Sequence, residues 1–411
     1  DTPFFVSPHD SKTIYLGANV VMRTRDEGLT WEVISEDLTN NIQERQKITG
    51  TPWLSEYFGQ EIYSTIHRMA ESPIRKGVIW TGSDDGKIFV TKNGGNTWED
   101  VSIIEGIPKY SQVYEVEPSP HDPATAYVVF SNFNTDDDYQ PYIFKTSDFG
   151  KSWTNLSGNF PENELTRTIR EDTKQPGLLF AGSETGFFYS PDDGQSWNSL
   201  RLNMPAVPVV DIKVKDNDLV IATNGRGIWI MDDITPLREY SETIDKKPVH
   251  LYAIPDYTRF GYNWWMDYLP GGDPGDKKNY FVQNMRQGLT YYELGFKPVN
   301  GERKRKFIDA GDPKPLGVSM YFKLNSEPEA INLEILDASG NVIRSYTKEE
   351  MMLTTGSGDP NAGLNTFTWD MRITQVTPIP GRPPTAIRPI VSPGRYQARL
   401  TADGISETQS F

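Results

Sequence analysis

One pattern constrains this chain more than any other. Thr/Ser-x-Asp/Asn-x-Gly-x-Thr/Ser-Trp occurs as Thr24–Trp31 (TRDEGLTW), Thr91–Trp98 (TKNGGNTW), Thr146–Trp153 (TSDFGKSW) and Ser190–Trp197 (SPDDGQSW). The Asp or Asn positions, Asp26, Asn93, Asp148 and Asp192, are 67, 55 and 44 residues apart. Self-similarity on that scale predicts one supersecondary unit repeated along the chain. The residue types suit a tight strand reversal. Gly28, Gly95, Gly150 and Gly194 supply a positive φ. The carboxylate or amide bonds nearby backbone amides, and the hydroxyl bonds locally. Trp31, Trp98, Trp153 and Trp197 are predicted to plug the space between neighbouring sheets. All these roles are structural.

A second element precedes each copy. Ser7–Asp10 and Ser119–Asp122 both read SPHD, while Ser72–Arg75 (SPIR) and Asp172–Gln175 (DTKQ) occupy the same slot. Short runs rich in Val, Ile, Tyr and Phe follow: TIYLGA, GVIWTGS, TAYVVFS and LLFAGS. Each unit therefore reads as strand, turn, strand, turn, strand, hairpin, strand, which is a β-propeller blade. Four blades are predicted, with a three-strand remnant over Val209–Asp233. That is fewer than closes a ring of six to eight, so further blades are expected from the parent polypeptide or another chain. Open edges exposing unpaired strands are expected with them.

The hairpin residues resemble the Asp-box, or bacterial neuraminidase repeat, of sialidases, xyloglucanase-type glycosidases and sortilin-type receptors. The resemblance runs from Phe4 to about Leu237. A closer similarity is to large exported bacterial proteins described as sortilin-like or as glycosyl hydrolases. Their last blade resembles Asp218–Leu237 (DLVIATNGRGIWIMDDITPL), with Asn224 where that family usually has His. The resemblance implies a propeller fold and an exported protein, periplasmic, cell-surface or extracellular. It implies either a non-catalytic ligand-binding or assembly module, or a fragment of a xyloglucanase- or sialidase-like glycoside hydrolase.

Propeller geometry sorts the loops. The Trp hairpins and the SPHD turns share one face; the turns between second and third strands lie on the other, where ligands are expected. There Asp84, Glu184 and Asn224 are equivalent, beside Asp85, Thr185 and Gly225. Two insertions reach the same face: Glu36–Gln60, with Trp53, Tyr57 and Phe58, and Asn132–Gln140, with Asp136, Asp137, Asp138 and Tyr139. Aromatics beside carboxylates suit a glycan or a basic peptide, carboxylate clusters suit Ca²⁺, and a solvated acidic loop accounts for them equally. No cofactor is otherwise implied. The candidate ligand contacts are thus Asp84, Asp85, Asp136, Asp137, Asp138, Tyr139, Glu184, Asn224 and Arg226, and no catalytic or metal-binding residue is assigned.

Composition narrows the chemistry. A net charge of -15 disfavours a nucleic-acid partner. The absence of Cys excludes disulfides, thiolate catalysis and Cys-ligated zinc. No apolar run approaches the roughly 20 residues of a membrane helix. The N-terminus, Asp-Thr-Pro-Phe-Phe-Val, reads as strand, with no signal peptide. It is expected to be a processing or fragment boundary, and Phe411 a second one. The histidines form no metal-spaced pair and no catalytic triad: His9 and His121 are turn residues, and His67 and His250 stand alone. Arg167, Arg170 and Arg226 are isolated. Arg170 is expected to brace neighbouring blades, and Arg226 to brace backbone carbonyls.

Three regions are expected: propeller blades over 1–237, an aromatic, Pro- and Gly-rich linker over 238–314, and an antiparallel sandwich over 315–411. The linker carries Trp264 and Trp265 and a basic turn at Gly301–Lys306. The elements Asp-x-x-Gly-x-x-Ile-Arg, Gly-x-Asn-x-Phe-x-Trp-Asp and Pro-Gly-x-Tyr resemble an immunoglobulin-like module of bacterial surface proteins, with Trp369 in its core. Thr374–Ser392 is an extended Pro-rich loop.

Overall fold

Each Trp hairpin closes through its own polar side chains. In the first, the Thr24 hydroxyl donates to Asp26 Oδ1 at 2.7 Å and accepts the Gly28 N–H at 2.9 Å. Asp26 in turn accepts the Thr30 N–H at 2.8 Å and hydroxyl at 2.7 Å. The bonds from Thr30 hold the Asp26 carboxyl down at about 2, and those from Ser152 hold Asp148 there too. Asn93 keeps the turn with one bond reversed, its amide donating to the Thr97 hydroxyl at 2.8 Å. Two successive residues have positive φ, as at Glu27 (60°) and Gly28 (95°), which is why the second is always Gly.

The computed structural model describes residues 3–46, 63–102, 105–259, 280–285, 288–296, 303–307, 317–354, 359–374 and 389–411, those between 280 and 307 by their backbone. The chain is all-β and divides into two compact units, Asp1–Ile234 and Thr235–Phe411.

The first unit is a partial β-propeller. Blade one comprises β1 (Phe4–Val6), β2 (Ile14–Gly17), β3 (Val21–Thr24) and β4 (Glu32–Val33). Blade two comprises β5 (Ile66–Glu71), β6 (Ile79–Ser83), β7 (Ile88–Thr91) and β8 (Glu99–Asp100). Blade three comprises β9 (Gln112–Pro118), β10 (Ala126–Asn132), β11 (Asp138–Thr146) and β12 (Thr154–Asn155), with the helical turn α1 (Phe133–Asp136) between β10 and β11. Blade four comprises β13 (Thr166–Glu171), β14 (Leu179–Ser183), β15 (Phe187–Ser190) and β16 (Asn198–Ser199). A three-stranded sheet follows: β17 (Val209–Lys215), β18 (Asp218–Thr223) and β19 (Ile228–Met231). All pairings are antiparallel and in sequence order, as expected. The outermost strands are only two residues long and begin one residue after each Trp.

The cores lie between sheets. Val78, Trp80, Ile88 and Val90 of blade two pack on Val113, Val116, Val128 and Phe144 of blade three, and the pattern recurs between blades three and four. Three devices join successive blades at their rims. Three of the four hairpin Trp residues donate the indole N–H to the preceding blade: Trp98 to Ile34 O (2.9 Å), Trp153 to Val101 O (3.1 Å) and Trp197 to Leu156 O (2.8 Å). The strand-one turns reach forward: His9 Nε2 to Ser72 O (2.8 Å), His121 Nε2 to Asp172 O (2.7 Å) and Lys174 Nζ to Asn217 Oδ1 (2.7 Å). Arg170, expected as a brace, joins Glu115 at 2.7 Å and Asp211 at 2.7 Å on the two flanking sheets.

The unpaired edge falls differently from expectation. At blade one the exposed element is a sheet face, with Phe4 and Val6 uncovered, because propeller blades meet face to face. At the last sheet it is the strand β19, whose Ile228 and Ile230 are exposed.

The second unit begins with α2 (Thr235–Arg238) and α3 (Glu242–Asp245). One sheet has β20 (Val249–Leu251) paired with β24 (Val318–Leu324), and β24 with β27 (Gly363–Trp369). Another orders β26 (Val342–Thr347), β25 (Ile331–Leu336), β28 (Gln397–Ala402) and β29 (Ile405–Ser410). Residues of both sheets share one core that includes Leu251, Phe322, Leu333, Phe367, Trp369 and Leu400. The helix α4 (Lys348–Leu353) follows β26 behind a capping box at Thr347. A third sheet runs β21 (Tyr280–Met285), β22 (Gly288–Phe296), β23 (Arg303–Phe307).

Two expectations change here. The region expected as linker supplies β20, whose Val249 and Leu251 are core residues of the second unit; a strand of three residues is too short to stand out among Pro and Gly. The basic run at Arg303–Lys306 is strand rather than turn, because it pairs with β22. Trp53, Tyr57, Phe58, Trp264, Trp265 and most of the Pro-rich loop lie outside the described residues. Among the described residues no helix is long and apolar enough to cross a membrane.

Candidate functional site

The first strands β5, β9, β13 and β17 are neighbours, one from each successive sheet. Each carries a bulge near its start. The register skips one residue between Ile66 and Arg68, between Val113 and Glu115, between Thr166 and Thr168, and between Val209 and Asp211. The skipped residues are His67, Tyr114, Arg167 and Val210. A bulge turns a side chain away from the regular pleat, and these four line one cavity of about 260 Å³ with Arg68, Gln112 and Asn134.

The cavity's polar groups are partly committed. Arg167 Nε donates to Glu184 Oε2 at 2.5 Å, and its guanidinium lies 5.8 Å from the Tyr114 ring centre. The His67 and Tyr114 rings are 6.1 Å apart. Asn134, carried by α1, donates to Gln112 Oε1 at 3.2 Å. Arg68 donates to the His67 carbonyl at 3.0 Å and has no carboxylate within ion-pair distance among the described residues. Burial, with Arg68 adding to it, pushes the His67 imidazole down to about 3, so it is neutral at pH 7. Among the described residues, the cavity therefore holds one guanidinium with a carboxylate partner and one without, inside a chain that is acidic overall.

The residues proposed from sequence divide by what their side chains and backbones contact. Asp84, Glu184 and Asn224 are equivalent in three dimensions, each donating its N–H to the connection that enters its own blade, at Thr65 O, Leu165 O and Pro208 O. Their side chains differ in use. Asp84 accepts the Thr65 N–H at 2.8 Å and hydroxyl at 3.3 Å; burial pushes its carboxyl up to about 7, with neighbouring Asp85 acting in the same direction. Asp85 is 1% exposed and accepts from Asn40 N–H and the Ser83 hydroxyl, an anchor for the incoming connection. Glu184 is held by Arg167. Glu164 ties the incoming connection to the Ser183–Gly186 turn with the bond reversed, accepting the Thr185 N–H at 2.7 Å where Asn40 donates to Asp85.

The lengthened loop of blade three reaches the cavity through Asn134 and not through its acidic residues. Asp136 accepts from Asn132 at 2.8 Å, and Asp138 accepts the Tyr142 hydroxyl at 2.7 Å. Asp137 is exposed and closes α1 with a positive φ of 55°. Tyr139 packs on Phe133 at 4.9 Å; burial, then Asp137 and Glu184, raise its hydroxyl above the ordinary tyrosine range. Asn224 and Arg226 are exposed, Arg226 donating to the Gly225 carbonyl at 3.0 Å. Among the described residues no three His, Asp or Glu side chains gather as a metal site.

Sequence reasoning missed the bulge residues and set His67 aside as solitary. A signal was present: His67, Tyr114 and Arg167 each stand five residues ahead of the strand-one turn at Ser72, Ser119 and Asp172. His250 is not alone either. In the second unit its ring lies 3.0 Å from Glu407 and 3.3 Å from Glu239.

No family model matches the chain, and no curated protein does. Solved structures similar to it in part are β-propeller proteins. The GH74 xyloglucanase from Xanthomonas campestris is 16% identical over 58% of this chain and 37% of its own, with a TM-score of 0.43. PorZ, an essential bacterial surface component of the type-IX secretion system of Porphyromonas gingivalis, is 13% identical over all of this chain and 51% of its own, with a TM-score of 0.39. YCF48 bound to D1 peptide is 15% identical over 60% of this chain and 70% of its own, with a TM-score of 0.35. The chain thus spans well under half the length of the xyloglucanase, and these likenesses are of fold.

Proposed function

We propose that the first unit is an Asp-box propeller segment of an exported protein, and that it binds a carboxylate-bearing group of a protein partner without turning it over. The observation that carries this reading is the alignment of four bulges, which bring His67, Tyr114, Arg167 and Val210 to one cavity beside Arg68. A guanidinium with no carboxylate partner among the described residues, in a cavity also lined by amides and an aromatic ring, suits a carboxylate, which it can meet with two parallel hydrogen bonds. The cavity is smaller than the roughly 300–1,000 Å³ of small-molecule sites, so it fits one residue of an extended segment better than an oligosaccharide. Glycoside hydrolysis needs two carboxylates across the scissile bond; no carboxylate lines this cavity among the described residues, and Glu184 beside it is ion-paired.

The test is calorimetric titration with a panel of short acidic peptides, matched neutral peptides and xyloglucan oligosaccharides. An acidic peptide should bind, and Arg68→Gln should weaken it at least about tenfold, the loss of one charge-assisted pair. Absence of acidic-peptide binding, or turnover of the glycan abolished by Glu184→Gln, refutes the reading.

A further inference from the structure

The Trp hairpins are alike in sequence and internal bonding, but three have a neighbour to rest on and the first does not. At the three internal junctions the carbonyl accepting the indole N–H belongs to the residue three places after the preceding hairpin Trp: Ile34, Val101 and Leu156. The same aliphatic side chain covers the next hairpin glycine. A Cβ at Gly95 would lie 2.8 Å from Ile34 Cδ1, at Gly150 2.6 Å from Val101 Cβ, and at Gly194 2.7 Å from Leu156 Cδ1. Gly28 has the same φ as Gly95, yet nothing lies within 4 Å of a Cβ built there. Trp31 is 44% exposed where Trp197 is 4%. Phe4 is 73% exposed where Met69, its register equivalent in blade two, is 8%.

We propose that this face of blade one is the seat of one further blade of the same type, joined to β1 as the internal blades are joined to one another. Its outermost strand ends in an aliphatic residue three places after its own hairpin Trp. That residue's carbonyl accepts the Trp31 indole N–H, and its side chain covers Gly28. Phe4, Val6, Ile14, Leu16 and Met22 bury the inner sheet face against it, as Met69, Ile79 and Phe89 do at the first internal junction. A second copy of this chain does not meet the requirement, because its last sheet ends at β19 with no fourth strand and no hairpin Trp.

The experiment extends the full chain ahead of Asp1 with a copy of residues 166–208, its own fourth blade and outgoing connection, and follows the Trp31 indole N–H by NMR, assigned with Trp31→Phe. A second extension copies residues 112–165, blade three with its connection. Hydrogen exchange at the Trp31 indole should slow at least about tenfold in an extended chain, as for a group taken into a cooperative unit. Trp31→Phe should lower the melting temperature of that extended chain and leave the parent chain's unchanged. Failure of both copies to protect the indole overturns the proposal. So does a concentration-dependent dimer of the parent chain that Phe4→Glu dissolves, since the occupant is then a second copy.

Discussion

The Asp84 carboxylate accepts two hydrogen bonds from Thr65 and sits beside Asp85 at the mouth of blade two. Burial outweighs those bonds and raises its pKa to about 7, against about 3.9 in an unfolded chain. Between those two values the folded protein binds the proton more tightly. Stability is therefore fully present below about pH 4, falls as pH rises toward 7, and stays lower above it. The cost at pH 8 is on the order of a few kcal/mol. Asn at this position keeps the carbonyl that accepts the Thr65 N–H and carries no charge. Asp84→Asn should therefore raise the melting temperature at pH 8, and raise it by less than half as much at pH 5. Thermal melts at the two pH values check this; a variant destabilised equally at both would mean that the ionised carboxylate is needed. The same residue shows why type and position mislead at this scale. Asp85 was as good a ligand candidate in the sequence as Asp84, but its side chain is enclosed by Asn40 and Ser83. That enclosure depends on Asn40, 45 residues away in the chain, meeting the turn, which no local pattern encodes.

Elements were legible where their signal is local. A Trp hairpin carries its turn, its Asx bonds and its inter-sheet plug within eight residues, so all four could be placed from sequence. The bulges could not, because a register skip is a relation between two strands; the shared place five residues ahead of the turn marks His67, Tyr114 and Arg167 without showing a skip. β20 was missed for a related reason, since pairing with a distant strand decides it. The hairpin glycines separate turn strain from contact. Gly28 and Gly150 share a positive φ, so Ala at either place has the same backbone cost, roughly 1 kcal/mol. At Gly150 the new methyl also meets Val101 at 2.6 Å, whereas at Gly28 it meets nothing. Gly150→Ala should be the more destabilising by about 1–3 kcal/mol, the usual cost of overpacking. Denaturant titrations of both variants give the difference directly. Equal losses would mean that the hairpins serve the turn alone and do not join the sheets.

At the scale of the whole first unit, each sheet touches mainly its sequence neighbours, as in a repeat array. Arg170 ties three of them together, reaching from β13 to both flanking sheets. Its guanidinium lies 2.7 Å from Glu115 and 3.6 Å from Glu117 on β9, and 2.7 Å from Asp211 on β17. Burial raises the Glu117 carboxyl to about 7 even with that cation opposing it, and the three carboxylates keep Arg170 protonated against its own burial. Removing the cation leaves Glu115 buried with only the Thr168 hydroxyl and a backbone amide as partners. Arg170→Met should cost about 3–5 kcal/mol, the penalty for breaking a buried pair from one side. The penalty should shrink as pH falls, because the stranded carboxylates then take up protons and lose their charge. Adding Glu115→Gln should recover part of it. Since the brace spans only blades three to five, hydrogen exchange in the variant should accelerate over residues 112–231 while the hairpin at 24–31 keeps its protection. Uniform loss across all the blades would show instead that the unit opens as one cooperative body, with the inter-sheet contacts too strong for a local break.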